Sequence, residues 1–119
     1  MKRTVVLGAS NNPDRYSYLA TVALKKHGHV VYPIGNKAGE IVGEKIRIDK
    51  PIIENIDTIT MYLSEHNQKE LYDYIFSLKP KRIIFNPGAE NSELTNLATA
   101  KGIECIDACT LVMLSIGNY

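Results

Sequence analysis

Long apolar runs are missing from this chain: nowhere does it hold the roughly 18 consecutive hydrophobic residues that a membrane span needs. A charge of one sign is missing too. Fourteen Lys and Arg against 13 Asp and Glu leave a formal net charge of +1, which offers no basic surface for nucleic acid or an anionic membrane. Cysteine is scarce. Cys105 and Cys109 stand outside C-x-x-C spacing, and Cys105 lies in an apolar strand-like segment where a thiol behaves as a small buried hydrophobe. A reduced, cytoplasmic setting is therefore the expectation. Met1-Lys2-Arg3-Thr4 runs directly into a strand pattern without a small-residue cleavage site, so no secretory signal is expected. His27, His29 and His66 form no metal-ligating pair with Cys or Asp, and no Ser/His/Asp arrangement can be assembled. No catalytic machinery is legible in the residues.

What is present is alternation. At 119 residues, 45% hydrophobic and 23% charged, the chain suits one globular core, and a single domain over residues 1–119 is expected. Thr4–Leu7 reads as a first strand. Ser17–His27 reads as a helix, with Leu19, Val22 and Ala23 on one face and Gly28 as terminator. His29–Tyr32 is a second strand, stopped by Pro33. Gly35–Gly43 reads as a glycine-rich loop, with a short strand near Gly43–Ile48. Ile56–Leu63 is a third strand. Asn67-Gln68-Lys69-Glu70 resembles a capping box, opening a helix striped by Leu71, Ile75 and Leu78. Arg82–Phe85 and Ile103–Ile106 are the fourth and fifth strands, separated by the stripe Leu94, Leu97 and Ala98; Ala108–Ile116 is a terminal helix.

Strands alternating with helices predict an α/β fold: a doubly wound parallel sheet of five strands with helices on both faces. The natural order is 3-2-1-4-5, with Ile56–Leu63 as the third strand. The reversal between the first and fourth strands then places a crevice at their carboxyl ends, under the loops Gly8–Tyr16 and Asn86–Asn91.

The first of these loops carries the clearest chemistry. Val5-Val6-Leu7 ends abruptly in Gly8-Ala9-Ser10-Asn11, and a helix opens shortly after. A strand, a small-residue turn and a helix start bring backbone N–H groups and the positive end of a helix dipole around a phosphate. Gly8 and Ala9 leave room for a close approach, Ser10 and Asn11 supply donors, and Arg15 could reach back as a planar cation. One glycine stands where the dinucleotide fingerprint has three. The second strand leads to Gly35-Asn36-Lys37 with no acid for the ribose hydroxyls of NAD. Lys37 suits a phosphorylated ribose instead, as in coenzyme A or NADP. In the other loop Gly88 can adopt positive φ, and Glu90 reads as a dipole partner or cap neighbour.

Val6-Leu7-Gly8-Ala9-Ser10-Asn11-Asn12-Pro13-Asp14-Arg15-Tyr16-Ser17-Tyr18, then Val31-Tyr32-Pro33-Ile34-Gly35-Asn36-Lys37, then Asn86-Pro87-Gly88-Ala89-Glu90-Asn91 together resemble the stand-alone CoA-binding domain family. That family is similar to the N-terminal domain of the succinyl-CoA synthetase α subunit. The resemblance implies a Rossmann-like fold holding the 3′-phospho-ADP half of coenzyme A over the sheet edge. It implies that Gly8, Ala9 and Ser10 form the phosphate loop, and that Asn36 and Lys37 meet the adenosine and its phosphates. It further implies that Thr60 to Tyr62 line the nucleotide and that Pro87 and Gly88 face the pantetheine. Where the family commonly has Asn-Pro-Lys, this chain has Ile34-Gly35-Asn36-Lys37. The synthetase's phosphohistidine domain and ATP-grasp partner have no counterpart here.

The leading expectation is a small module that binds coenzyme A or an acyl-CoA and is non-catalytic alone. A protein partner or homo-oligomer is left open. The competing readings are an NADP-linked oxidoreductase or redox sensor, and an interaction domain whose crevice holds no ligand. The NADP-linked reading is weakened by the absence of a substrate domain and by the incomplete glycine fingerprint.

Overall fold

A computed structural model describes residues 1–119, and its elements alternate as the chain's patterns predict, although the first helix buries Ala20, Thr21 and Leu24 and leaves Leu19 exposed. In order they are β1 (Arg3–Leu7), α1 (Tyr16–Lys26), β2 (Val30–Ile34), β3 (Gly39–Ile41), β4 (Glu44–Ile46), β5 (Thr58–Met61), α2 (Glu65–Gln68), a 3-10 turn at Lys69–Leu71, α3 (Tyr72–Ser77), β6 (Arg82–Phe85), α4 (Ser92–Ala100), β7 (Glu104–Asp107) and α5 (Thr110–Ile116). Five strands pair in parallel in the order β2-β1-β5-β6-β7. Because successive side chains point to opposite faces, Val5, Leu7, Ile59, Met61, Ile83 and Phe85 pack with Leu71, Ile75, Leu94 and Ala98 on one side. Val6 and Val31 pack with Leu24 and Leu114 on the other. Helices thus cover both faces, α3 and α4 opposite α1 and α5, and the fold is Rossmann-like α/β. No helix is long and apolar enough to cross a membrane.

The 3-2-1-4-5 pattern is met, but by a different third strand. The loop expected at Gly35–Gly43 contains a hairpin, β3–β4, turned by Val42 and Gly43 at φ 44° and 86°. β4 lies outside β2 through the parallel bridge Ile34–Arg47, in which Gly35 N–H donates to Arg47 O and Arg47 N–H to Pro33 O. It stands in the third strand's place beside β2 as part of the separate two-stranded sheet β3-β4, while β5, β6 and β7 continue the five-stranded sheet beyond β1. The segment Ile56–Leu63 is therefore not outermost; its strand β5 pairs with β1. The physical reason is burial. Thr58, Ile59, Thr60 and Met61 are fully buried, as a central strand covered on both faces requires, whereas the hairpin leaves alternate residues exposed.

Two boundaries differ for reasons that local pattern does not reveal. Pro33 does not stop β2: its carbonyl faces the β4 side and accepts from Arg47, so its missing N–H also faces away from β1 and no bond to β1 is lost. The helix expected to open at Asn67 begins at Glu65 instead, with Ser64 at its N-cap; Asn67 Nδ2 donates back to Ser64 Oγ at 3.0 Å. Gln68 is drawn entirely into the core.

Candidate functional site

The reversal of strand order lies between β1 and β5, whose carboxyl ends are Leu7 and Met61. Gly8 follows at φ +95°, a conformation that side chains resist. A Cβ on Gly8 would stand 3.1 Å from Leu63 N. The residue is glycine because the loops after β1 and β5 touch there. Gly8 and Ala9 N–H both donate to Ile34 O, at 3.0 and 2.9 Å, so these two amides serve the fold. Ser10 and Asn11 N–H have no partner in the chain. Ser10 Oγ accepts from Asn12 N–H, Asn12 Oδ1 from Asp14 N–H, and Asn12 O from Arg15 N–H, a chain of turns that leads into α1. The first amides of α1 follow, with Arg15 at the N-cap position and its side chain exposed. Free amides at Ser10 and Asn11 beside a helix start can hold an anion.

The turn after β2 closes on this loop. A Cβ on Gly35 would lie 2.5 Å from Ala9 O, and one on Gly39 would lie 2.8 Å from Asn11 Nδ2. Neither glycine was singled out by sequence, although the glycine-rich composition of that stretch was a signal. Asn36 and Lys37 are exposed and make no side-chain bond. They are thus brought beside the Gly8–Asn11 loop, as donors available to a ligand.

Tyr62 follows β5, with its N–H bonded to Leu7 O at 2.9 Å. Its ring packs into the core on the α1/α5 side. Its hydroxyl is buried beside Thr60 and Thr110, which bond each other at 2.8 Å and leave it without a partner. Burial pushes the Tyr62 phenol up to about 12, so it stays protonated at neutral pH.

The loop after β6 stands one strand further out. Asn86 is buried; its Nδ2 donates to Thr60 Oγ1 and Met61 O, and its Oδ1 accepts from Thr110 N–H. Pro87 and Gly88 are exposed, Gly88 at φ +92°. Gly88 N–H is taken by Glu90 Oε1 at 2.9 Å, which makes Glu90 a local cap. Asn91 caps α4 by accepting from Leu94 N–H at 3.0 Å. A polar hollow of about 380 Å³ adjoins this loop, but its walls carry Glu65, Glu90 and Asp107, whose charge repels phosphate. It lies beside the crevice rather than in it, and no cluster of side chains in the chain could hold a metal. Cys105, on the edge strand β7, is only partly buried, and burial pushes its thiol up from the ordinary range.

The sequence matches the family model of the CoA binding domain over residues 2–115. The chain belongs to the CoA binding domain family. Among solved structures, a crystal structure of an uncharacterized protein is 51% identical and superposes with a TM-score of 0.98 over 100% of this chain and 98% of that one. A hypothetical protein from Pyrococcus horikoshii OT3 is 22% identical, with a TM-score of 0.87 over 97% of this chain and 82% of that one. A dinucleotide-forming acetyl-coenzyme A synthetase 1 from Ca. Korarchaeum cryptofilum, in complex with phosphate and ADP, is 20% identical; its TM-score is 0.69 over 88% of this chain and 25% of that one. The last two are likenesses of fold. No curated protein matches the chain.

Proposed function

We propose that this family member binds coenzyme A or an acyl-CoA across the carboxyl ends of β1, β2 and β5, as a module that performs no reaction alone. The observation that carries the reading is the pairing of free Ser10 and Asn11 amides with an exposed Asn36-Lys37 turn packed against the same loop. The amides suit the diphosphate, and Lys37 suits the 3′-phosphate of the ribose. Pro87 and Gly88, one strand beyond, suit the pantetheine arm. Family membership and the fold shared with a segment of an acetyl-coenzyme A synthetase support the same ligand class. The two hydroxyls nearest the crevice are engaged or inert: Ser10 Oγ is held by the Asn12 N–H, and the Tyr62 phenol stays protonated. The free thiols Cys105 and Cys109 suit a reducing cytoplasm.

A thermal-shift panel of CoA, acetyl-CoA, NADPH, NAD and ATP tests this. A ligand at 100 times its Kd adds about 2.7 kcal/mol of stability. CoA and acetyl-CoA are expected to raise the melting temperature most. A larger shift with NADPH would overturn the reading.

A further inference from the structure

The β3–β4 hairpin, bridged to the outer strand β2, brings a second cation to the end of β2. Arg47 follows β4 directly, and its carbonyl accepts the N–H of Gly35, two residues before Lys37. Its guanidinium is gripped along one edge: Nε donates to Asp49 Oδ1 at 3.0 Å and Nη2 to Asp49 Oδ2 at 2.6 Å. A guanidinium has five N–H donors in a rigid plane. The grip uses the Nε–Nη2 edge and leaves the Nη1–Nη2 edge unpartnered. Asp49 therefore holds the fork in one orientation without filling it, and a planar two-donor edge matches two oxygens of a phosphate monoester.

We infer that Arg47 is a specificity-determining residue that reads the ribose 3′-phosphate of CoA together with Lys37, oriented by Asp49. The inference rests on the CoA reading and goes beyond it, since Arg47 lies outside every motif that carries the resemblance. A local structural role for the pair is the competing explanation; residues at i and i+2 in an exposed turn meet easily, and both side chains are more than half exposed. The two explanations differ in what they require of the ligand. A turn-stabilising pair is indifferent to the 3′-phosphate, while a phosphate reader loses affinity only for ligands that carry one.

The test is calorimetric titration of CoA and dephospho-CoA into wild type and Arg47→Gln. Arg47 anchors the hairpin through backbone groups, so the variant keeps its place in the sheet, and urea melts of both proteins confirm it. Wild type is expected to prefer CoA. Arg47→Gln is expected to lose about tenfold in CoA affinity while binding dephospho-CoA within twofold of wild type. Arg47→Lys, which keeps the charge but not the fork, is expected to recover only part of the loss. An unchanged preference for CoA in Arg47→Gln, or equal losses for both ligands, overturns the assignment while leaving CoA binding intact. Failure of wild type to bind either ligand overturns the CoA reading and the assignment with it.

Discussion

Gln68 and Asn91, 23 residues apart, are joined inside the core, where Asn91 Nδ2 donates to Gln68 Oε1 at 3.0 Å. Both side chains are buried, at 0% and 3% exposure. Gln68 Nε2 also donates to Leu63 O at 2.8 Å and Ala89 O at 2.7 Å. One amide thus ties the loop after β5 to the loop after β6. Asn91 extends the network to Tyr72 Oη, which donates to Glu93. Buried polar groups of this kind favour a fold only when fully satisfied, and they then define its loops.

Gln68→Leu, close in volume, should destabilise the fold by about 3 kcal/mol. It strands the Leu63 and Ala89 carbonyls without this donor and leaves the Asn91 amide with Tyr72 Oη alone, and buried orphan groups cost about 1–3 kcal/mol each, partly recovered by relaxation. Urea denaturation measures it. A loss below about 0.5 kcal/mol would show that water replaces the amide.

Gly8→Ala and Gly35→Ala should both harm the molecule, by different routes. At Gly8 a side chain meets φ +95° and the Leu63 backbone, and a conformation so sparsely populated costs of order 1–3 kcal/mol. At Gly35 the obstacle is steric, the Ala9 carbonyl at 2.5 Å, with overpacking costing about 1–3 kcal/mol. Both should also weaken CoA binding, because each moves the Gly8–Asn11 loop. Melting curves with and without CoA separate the losses; a Gly35→Ala protein with wild-type stability and affinity would show that the contact yields freely.

Lys37→Ala should narrow the preference for CoA over dephospho-CoA by about fivefold. A charge-assisted bond to phosphate reaches about 1.5–3 kcal/mol, and solvent screening at this exposed turn reduces it to about 1 kcal/mol. Titrating both ligands into both proteins completes a thermodynamic cycle. Equal losses for the two ligands would assign Lys37 to the diphosphate instead.

His29 should make stability fall in mild acid. Its Nδ1 accepts from the Lys2 N–H at 2.9 Å, so a proton there would face a donor, and its ring lies 4.9 Å from that of Tyr119. Burial first, then the positive N-terminus, hold its pKa below the ordinary imidazole value of about 6.5. A depressed folded pKa gives stability that is complete above about pH 6.5 and declines as pH falls through the folded value, since the unfolded chain takes up the proton first. Melting temperature measured from pH 7.5 to about 5 should drop more steeply for wild type than for His29→Gln. Parallel slopes would assign the acid response to the carboxylates.

Much of the molecule was legible in the chain, because the signals were local. Short continuous apolar runs, Val5-Val6-Leu7 and Ile83-Ile84-Phe85, announce strands buried on both faces, and stripes such as Leu71, Ile75 and Leu78 announce helices. Gly88 announced positive φ, which few other residues adopt readily, and Gly8 announced a close backbone approach. The Gly8–Tyr16 crevice loop followed from element order, because a doubly wound sheet opens where its strand order reverses; the loop that faces it follows β5, and Asn86–Asn91 stands one strand beyond. Tertiary structure alone decided the rest. Which segment takes the third place depended on burial on both faces of β5, a property of neighbours far along the chain. Ile34 O accepts the Gly8 and Ala9 amides, which leaves Ser10 and Asn11 as the free amides of that loop. Gln68, Gly35 and Arg47 carry no local signal of their positions: each is placed by a partner 12 to 26 residues away. Periodicity encodes which way a residue faces, but only the packed chain determines what it meets.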